Sequence, residues 1–448
     1  MDSESLYFKD NTETYKDLIP RDLKDDLSLY KNILHNLGEL QKKLEKNLYR
    51  VNDIERLKNV VFQGRLRVGK YSIIEEKEGN YNLVKFSDFF FTEFEVIRKL
   101  LEKLSSRQEK SLYKNYIDAL VLAYTNNNFI EPYKQWVYLN GDNATDFIAF
   151  PTEPYLDREF ETMLSFDGSL RILAEKENRV EEEKFKNQMA KVISNLPKLS
   201  ELHLSLDLHK IRSRIDYTLI EAAATPIFDF RGQNLPNERD FVLQWGSKVI
   251  IYKSHISRQI EDTFYPVASA VLNSLPLEKG ELEEGIVKKV LVHEIIESLM
   301  KFEGSEERLG NMFLRTRELN SDMSGITNYV LALLKDERAA SAIRALAYAY
   351  IASCLHFYRD YVNKEGRTQH FYGYVAAFNY FLENGTVKIL ENNKLEIDPK
   401  SILKDISALS KVTTHLMLQG TKEEAKEFFD KYSDESKIKR VLNEFTQV

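Results

Sequence analysis

Apolar and polar positions repeat with two different periods along the first part of the chain. Apolar residues at spacings of three and four predict a helix from about residue 22 to residue 60. The next stretch, "NVVFQGRLRVGKYSIIEEKEGNYNLVKFS", alternates as strands do and contains a turn candidate at Glu78-Gly79-Asn80. A helical period returns over residues 91 to 127. This part of the chain is therefore predicted to mix helices with strands.

The middle of the chain changes its pattern several times. The segment "TDFIAFPTEPYLD" is irregular and contains proline, which suits a segment that lines a cleft. Residues 169 to 195 are predicted to be helical, and the alternation in "LSELHLSLDLHK" predicts a strand. A turn, "FRGQNLPNERD", then precedes a further predicted strand, "KVIIYKSHI".

Nearly everything after about residue 262 has the period of a helix. Gly385 is expected to end a helix after "YVAAFNYFLEN". Thr421 and Glu424 have the spacing of a capping box at the start of another helix. The pattern predicts a mixed α/β first half and a helical second half.

Composition narrows the class of protein. A chain of 448 residues is longer than one typical core supports, which favours two domains. Hydrophobic residues at 43% and aromatic residues at 12% are typical of a packed globular protein and exclude a disordered chain. The net charge of −7 offers no basic face for nucleic acid. The single cysteine, Cys354, cannot form an internal disulfide and is expected to be buried.

Neither a signal peptide nor a membrane span is expected. The segment "MDSESLYFKDNTETY" is acidic and lacks the apolar region of a signal peptide. Uninterrupted apolar runs stay below the roughly 18 residues that a membrane span needs. We therefore expect a soluble cytoplasmic protein with neither a membrane nor a nucleic acid as partner.

One short stretch, "LVHEIIESLM" from Leu291 to Met300, points to chemistry. A His-Glu pair followed by two apolar residues is the first half of the zinc-binding motif H-E-x-x-H, in which the glutamate activates water. The second histidine is missing, since position 297 is glutamate. On a helix, His293 and Glu297 share one face, whereas Glu294 is rotated by about 100°.

A third ligand is available from the following predicted helix, "RTRELNSDMSGITNYVLALL", where Glu318 and Asp322 stand one turn apart. His293, Glu297 and Glu318 would then hold Zn²⁺ and leave its fourth position to water. Two carboxylates with one imidazole form a harder ligand set than two histidines with one glutamate, which shifts the preference toward Mn²⁺ or Co²⁺.

The same residues have a plainer interpretation. A bare His-Glu pair is common in helices, and "HEIIESLMKFEGSEER" is also typical of a solvated helix face. From these residues alone, that interpretation is favoured over a metal site. His356, His370 and His415 lie in apolar or aromatic surroundings, where each is more often a core histidine than a ligand.

Further blocks follow in a fixed order from about residue 145 to the C-terminus. They are "DFIAFPTEPYLD", "QNLPNERDFVLQWGSKVIIYKSHI", "VLVHEIIESL" with "RELNSDMSGI", and "QHFYGYVAAFNYFLENGTVKI". In this order they resemble the dipeptidyl peptidase III family of zinc exopeptidases. Outside the metal motif, the matching positions are Glu153, Tyr155, Asp157, Asn234, Pro236, Asn237, Gly246, Lys248 and His370.

The resemblance implies roles in binding a peptide. Glu153, Asn234 and Asn237 would hold the free α-amino group and the first peptide unit, because an ammonium group needs acceptors. Tyr155 and His370 would hydrogen-bond the scissile carbonyl as it becomes an oxyanion. Without the resemblance, Tyr155, Asp157 and the two asparagines are interpreted as turn residues.

The resemblance also implies roles at the metal. His293 and Glu318 would bind zinc, and Glu294 would take a proton from the water bound there. Asp322 would not bind the metal itself but would orient a ligand imidazole by a hydrogen bond.

The sequence departs from the family at two positions. The family's metal helix reads H-E-x-x-x-H in most members and H-E-x-x-H in some, so that either Ser298 or Glu297 replaces the second histidine. A regular helix favours Glu297, since a ligand five positions away needs a bulge. Tyr374 stands where many members have a basic residue.

The fold class that the resemblance implies is α+β and predominantly helical, with two lobes around a cleft. A mixed α/β lobe with a small barrel would comprise residues 1–173 and 218–264 and would recognise the substrate N-terminus. A mostly helical lobe bearing the metal site would comprise residues 174–217 and 265–448.

The leading functional hypothesis is a metal-dependent exopeptidase that releases dipeptides from the N-terminus of short peptides. The alternative is a pseudopeptidase, a peptide-binding or regulatory protein that kept the cleft and lost the metal with the second histidine. A third class, a purely structural helical scaffold, predicts no affinity for peptides.

Overall fold

The chain divides into two compact units in the computed structural model, which describes residues 6–109, 111–139, 144–174, 179–195, 210–299, 304–334, 339–362 and 368–443. Unit 1 comprises Met1–Glu175, Arg214–Phe230 and Leu235–Lys248. Unit 2 comprises Lys176–Ser213, Arg231–Asn234 and Val249–Val448. The predicted fold class is confirmed: the protein is α+β and predominantly helical.

Helices and strands are mixed along the chain as far as Tyr252. The helices are α1 (Arg21–Asn47), α2 (Ile54–Phe62), α3 (Phe86–Phe89), α4 (Phe91–Arg107), α5 (Leu112–Asn126), α6 (Ile130–Tyr138), α7 (Arg179–Asn195), α8 (Thr225–Phe228) and α9 (Arg239–Trp245). The strands are β1 (Phe8–Asp10), β2 (Tyr49–Arg50), β3 (Ser72–Lys77), β4 (Asn80–Lys85), β5 (Thr145–Glu153), β6 (Ser165–Leu173), β7 (Ile211–Ala223), β8 (Gly232–Leu235) and β9 (Ser247–Tyr252).

Helices predominate in the remainder. They are α10 (Lys253–Gln259), a π-helical turn (Ile260–Phe264), α11 (Tyr265–Val271), α12 (Lys279–Leu299), α13 (Ser305–Leu309), a 3-10 turn (Gly310–Met312), α14 (Phe313–Leu333), α15 (Ala340–Tyr361), α16 (Gln369–Glu383), α17 (Pro399–Leu418), α18 (Lys422–Lys431) and α19 (Ser436–Asn443). A hairpin of β10 (Val387–Ile389) and β11 (Leu395–Ile397) separates α16 from α17.

A six-stranded sheet has the strand order β5-β6-β7-β9-β8, with β1 paired to β7. The neighbours β5, β6 and β7 run antiparallel, so that Ile148 faces Ser169 and Leu170 faces Ile220. Almost every residue of β5 and β6 is buried, including the polar residues Asp146, Asp167 and Arg171. Helix α1 packs against both strands.

A charge network is buried beside this sheet in unit 1. Asp146 accepts hydrogen bonds from Arg171 and from Nζ of Lys248 at 3.1 Å. Arg214 forms a two-pronged ion pair with Asp216, at 2.7 and 2.9 Å. Lys248, a position matched in the resemblance, is therefore a core ion-pair partner of Asp146.

In unit 2, helix α12 packs against α14 and α15, and α14 also packs against α7, α16 and α17. Gly325 of α14 allows the two helices to pack closely. A Cβ built at this position would lie 3.0 Å from the backbone of Val292 on α12. Helix α12 is buried almost all round from Leu282 to Leu299, charged residues included. This packing fixes the distance between polar groups on the two helices.

Several predicted elements are confirmed. The helical period over 91–127 corresponds to α4 and α5, and the turn at Glu78-Gly79-Asn80 joins β3 to β4. Thr421 and Glu424 form the predicted capping box, with both reciprocal hydrogen bonds present. Gly385 follows the end of α16 with a φ of 71°.

Other predicted boundaries are wrong. The helix predicted over 22–60 is two helices, because the chain leaves α1 after Asn47, pairs as β2, and starts α2 with Asp53 as its N-cap. Residues 169–173 belong to strand β6, since they complete a ladder with β7. The β10–β11 hairpin interrupts the part predicted to be helical. The strand predicted in "LSELHLSLDLHK" falls almost wholly outside the described residues.

The described helices include none that is long and apolar enough to cross a lipid bilayer.

Candidate functional site

Helices α12 and α14 present four residues of the predicted metal site to each other in unit 2. His293 and Glu294 lie on α12, and Glu318 and Asp322 lie one turn apart on α14. All four side chains are buried. Burying four titratable groups is costly unless they pair with one another or bind a cation.

Three side chains form a cluster with the chemistry of a metal site: His293, Glu318 and His370 of α16. Their ligand atoms all lie within 4.8 Å of one another. Oε2 of Glu318 is 3.3 Å from Nε2 of His293 and 3.2 Å from Nδ1 of His370. This buried oxygen has no hydrogen-bond partner of good geometry among the described residues.

The donor set of the cluster fits a divalent cation. Two imidazoles and one carboxylate are a common catalytic zinc set, and they leave one position of a tetrahedron open. An ion among the three atoms would also give the orphaned Glu318 oxygen a partner.

Asp322, Lys289 and Tyr374 form a chain of contacts that starts at Nδ1 of His293. Nδ1 of His293 donates to Oδ1 of Asp322 at 2.8 Å. Nζ of Lys289, one turn before His293 on α12, lies 2.9 Å from the same oxygen and also donates to the hydroxyl of Tyr374. The bond from His293 to Asp322 directs Nε2 of His293 toward Glu318, as required of a ligand imidazole. Lys289 thus places a basic group beside Tyr374.

Glu297 lies outside the cluster of three. Its Oε1 pairs with Nη2 of Arg317 at 3.0 Å, and the same nitrogen lies 2.9 Å from Oε1 of Glu318. The third member of the cluster is His370, to which the resemblance gave an oxyanion role. The structure thus groups His293 and Glu318 with a histidine, where the sequence suggested a carboxylate.

The pKa values of the cluster follow from burial and from close opposite charges. Burial lowers the pKa of the His293 imidazole, but the carboxylates of Asp322 and Glu318 outweigh this and raise its pKa well above the usual value. Burial would raise the pKa of Glu318, yet His370, Arg317 and His293 hold that pKa well below its usual range. The pKa of His370 is lowered, chiefly by burial.

Glu294 faces a different environment from the ionised Glu318. Burial, reinforced by the carboxylates of Glu297 and Glu318 and opposed by His293, raises the pKa of Glu294 to about 8. A carboxyl group with such a pKa exchanges protons near neutral pH, which is what a general base or acid requires.

Strand β8 lies directly against Glu294. A Cβ built on Gly232 would be 2.8 Å from Oε1 of Glu294 and 2.6 Å from Cγ1 of Val290. Only glycine leaves room for the carboxyl group at this position. Two residues further along β8, Asn234 is buried, and neither polar atom of its amide has a hydrogen-bond partner among the described residues.

The other predicted peptide-binding residues belong to unit 1. The backbone N–H of Asn237 donates to Oε1 of Glu153 at 3.2 Å. The ring of Tyr155 packs against Phe228 and Phe230, with centroids 5.0 and 5.3 Å away. Within unit 1, Glu153 and Asn237 are therefore brought together.

Asp157 has a structural task in the same segment. Its carboxylate accepts the backbone N–H groups of Phe160, Thr162 and Met163 at 3.0, 2.9 and 2.8 Å, and the hydroxyl of Tyr49. It closes the turn that follows Tyr155, as the simpler interpretation of the sequence has it.

Two residues of the site were missed by sequence reasoning, Lys289 and Arg317. Lys289 precedes His293 by four positions, so the spacing that places Glu297 on the same face could have indicated it too. Arg317 sits among alternating charges in "RTRELNSD", where nothing in the pattern distinguishes it from an exposed arginine.

Comparison with known proteins places the fold. No model of a protein family matches the sequence, and no curated protein matches it. Among solved structures, dipeptidyl peptidase III from Caldithrix abyssi superimposes with a TM-score of 0.83 at 16% identity, covering 96% of this chain and 94% of that one. The chain has the fold of dipeptidyl peptidase III.

A second structure with that fold, dipeptidyl peptidase III from Corallococcus sp. strain EGB, gives a TM-score of 0.71 at 18% identity. The superposition covers 90% of this chain and 77% of the Corallococcus chain. At such identities the dipeptidyl peptidase III likeness is one of fold, and the chemistry of this chain rests on its own residues.

Proposed function

We propose that this protein is a divalent-metal-dependent exopeptidase that releases dipeptides from the N-terminus of short peptides. The observation that carries the proposal is the cluster of His293, Glu318 and His370 with Glu294 beside it, in a chain with the dipeptidyl peptidase III fold. A cation held by these three residues would supply Lewis acidity, which polarises a carbonyl group and acidifies water.

The chain's own residues would divide the remaining work. Glu294, with its raised pKa, would accept a proton from the attacking water and return it to the departing amine. Asp322 would keep Nδ1 of His293 protonated and Nε2 free for the cation.

Peptide recognition would fall to Asn234, Glu153, Asn237 and Tyr155. The buried amide of Asn234 matches one peptide unit, which likewise has one donor and one acceptor. The Glu153 carboxylate would accept from the α-amino group, with Asn237 beside it in unit 1. Tyr155 would donate to the developing oxyanion, whereas His370 is reassigned from that role to the cation.

The metal would be zinc, with Mn²⁺ or Co²⁺ as the alternatives. Replacing Glu297 by His370 in the ligand set gives two imidazoles and one carboxylate, and this set is softer than the sequence alone suggested. The expected cytoplasmic location remains part of the proposal.

A peptide-binding pseudopeptidase is the second candidate. It is favoured by the ion pair between Glu297 and Arg317, which places a cation of the protein itself next to the cluster. A guanidinium close to a metal ion would repel it unless nearby carboxylates offset the charge.

Metal analysis combined with a peptide assay separates the two candidates. Protein purified without chelators is analysed by inductively coupled plasma mass spectrometry and incubated with a short peptide and with its N-acetylated form. We expect about one equivalent of divalent metal, lost in Glu318→Ala, and dipeptide release from the free peptide only. Folded protein that cannot be loaded with metal but still binds the free peptide would establish the pseudopeptidase.

A further inference from the structure

Arg317 holds two carboxylates at once beside the candidate metal cluster. It precedes Glu318 on α14, and its Nη2 lies 3.0 Å from Oε1 of Glu297 and 2.9 Å from Oε1 of Glu318. A terminal guanidinium nitrogen carries two hydrogens, so it can donate one to each carboxylate. The guanidinium is largely buried, which strengthens both contacts relative to a surface ion pair.

The two oxygens of Glu318 have different surroundings. Oε1 accepts from Arg317, whereas Oε2 faces the imidazoles of His293 and His370. Because the positive guanidinium lies at Oε1, a cation is expected to bind through Oε2. The side chain is also prevented from rotating, since turning it would exchange the two oxygens and break the bond to Arg317.

Glu297 reduces the electrostatic repulsion between Arg317 and a cation at the cluster. An arginine and a divalent cation on opposite oxygens of one carboxylate repel each other. The second carboxylate, from Glu297, contacts the same guanidinium nitrogen at 3.0 Å and offsets that charge. The glutamate at the position of the missing histidine thus has a partner that explains it without ligation.

We propose that Arg317, anchored by Glu297, is a positioning residue that presents Glu318 to the metal through one oxygen only. This inference rests on the proposed function, since it assumes that the cluster binds a divalent cation. It assigns the missing histidine's position to the support of a ligand, with His370 completing the ligand set.

Cobalt substitution tests the proposal without any assay of activity. Co²⁺ is titrated into metal-free wild type, Arg317→Met, Arg317→Lys, Glu297→Gln and the double variant Arg317→Met/Glu297→Gln, and affinity and visible absorption are recorded. Tetrahedral Co²⁺ absorbs more strongly than Co²⁺ with five ligands. Arg315→Met is the matched control, because Arg315 lies on the same helix but packs over the ring of Tyr372 at 4.1 Å.

We expect Arg317→Met to bind Co²⁺ about 10- to 100-fold more weakly, as is usual when the partner of a ligand is lost. Its absorption should fall, because a freed Glu318 can bind through both oxygens. Arg317→Lys should restore part of the affinity, and Arg315→Met should match wild type. Glu297→Gln should weaken binding, but it should have no further effect in the Arg317→Met background.

Three results overturn the proposal in distinguishable ways. Equal affinity and spectra in wild type and Arg317→Met, with both folded by circular dichroism, would remove Arg317 from its role and leave the metal site standing. A further loss on adding Glu297→Gln to Arg317→Met would make Glu297 itself a ligand. Wild type that binds no Co²⁺ would overturn the proposed function, and this inference with it.

Discussion

His293 and Asp322 are joined by a 2.8 Å hydrogen bond, and the same oxygen of Asp322 lies 2.9 Å from Nζ of Lys289. A buried carboxylate thus serves a neutral or charged imidazole and an ammonium group together. Burial would raise the pKa of Asp322, but Lys289 and His293 hold it well below its usual range. The carboxylate stays ionised and keeps the ring of His293 in one orientation.

Asp322→Asn should weaken metal binding by about 10- to 100-fold, because the amide keeps the shape of the carboxylate but loses its charge. Isothermal titration with Zn²⁺ measures this change. Asp360→Asn is the control, since Asp360 lies 3.5 Å from Nδ1 of His356 in a second His–Asp pair outside the cluster. Equal losses in both variants would show that the effect of Asp322 is not specific to the metal site.

Glu294→Gln should reduce dipeptide release by about 10²- to 10⁴-fold while metal content is unchanged, because the amide cannot accept the proton from water. Mass spectrometry of the released dipeptide gives the rate. Glu284→Gln, on the exposed side of the same helix, is expected to behave as wild type. A Glu294→Gln variant with the wild-type rate would eliminate this residue as the base.

Gly232→Ala should lower the rate of peptide release, since the new Cβ would approach Oε1 of Glu294 to 2.8 Å and force the carboxyl group to move. Metal affinity should change little, because Glu294 is not a ligand. The matched control is Gly280→Ala on α12, where nothing lies within 4 Å of the added Cβ. That substitution, in the first turn of the helix, should leave the rate of peptide release unchanged.

Lys248 makes the stability of unit 1 depend on pH. Burial lowers the pKa of Lys248 to about 8, against the attraction of Asp146. Between this pKa and the ordinary lysine value of about 10.4, the unfolded chain binds more protons than the folded protein. The free energy of unfolding should therefore rise with pH across this window, by at most about 1.4 kcal/mol per pH unit.

Thermal unfolding followed from pH 7.5 upward in wild type and Lys248→Met measures this contribution as a difference. The difference should shift in favour of wild type as pH rises, because the cost of burying the ammonium charge disappears. Lys426→Met, which removes an exposed ion pair with Asp430, should give a profile parallel to wild type. If the difference in stability between wild type and Lys248→Met does not change with pH, the amine of Lys248 stays charged throughout.

Helical periodicity explains why part of the candidate site could be predicted from the sequence. His293 and the pair Glu318 and Asp322 fall on regular helices, where spacing alone decides which side chains share a face. Lys289 obeys the same rule and was overlooked. The element types of α4, α5 and the capping box at Thr421 were likewise local properties of the sequence.

The remaining features depend on contacts between distant segments. Nothing near His370 in the sequence indicates that α16 brings it to within 3.2 Å of Glu318. The pairing of Glu297 with Arg317 needs the close packing of α12 on α14, which Gly325 permits. Residues 169–173 have a helical period and yet form a strand, because β7 supplies hydrogen bonds that outweigh local preference.

The path of the chain through the two units limits how unit 2 can be transferred to another gene. Unit 2 takes its residues from three stretches, and helix α7, which comes well before the main helical stretch from Val249, packs on α14 with Phe185 beside Tyr329. A gene fragment starting at Val249 would encode the helices that carry the cluster but leave that side of α14 bare. A fragment starting at Lys176 would include all of unit 2 but also two stretches of unit 1, so a single junction cannot transfer unit 2 alone into another gene.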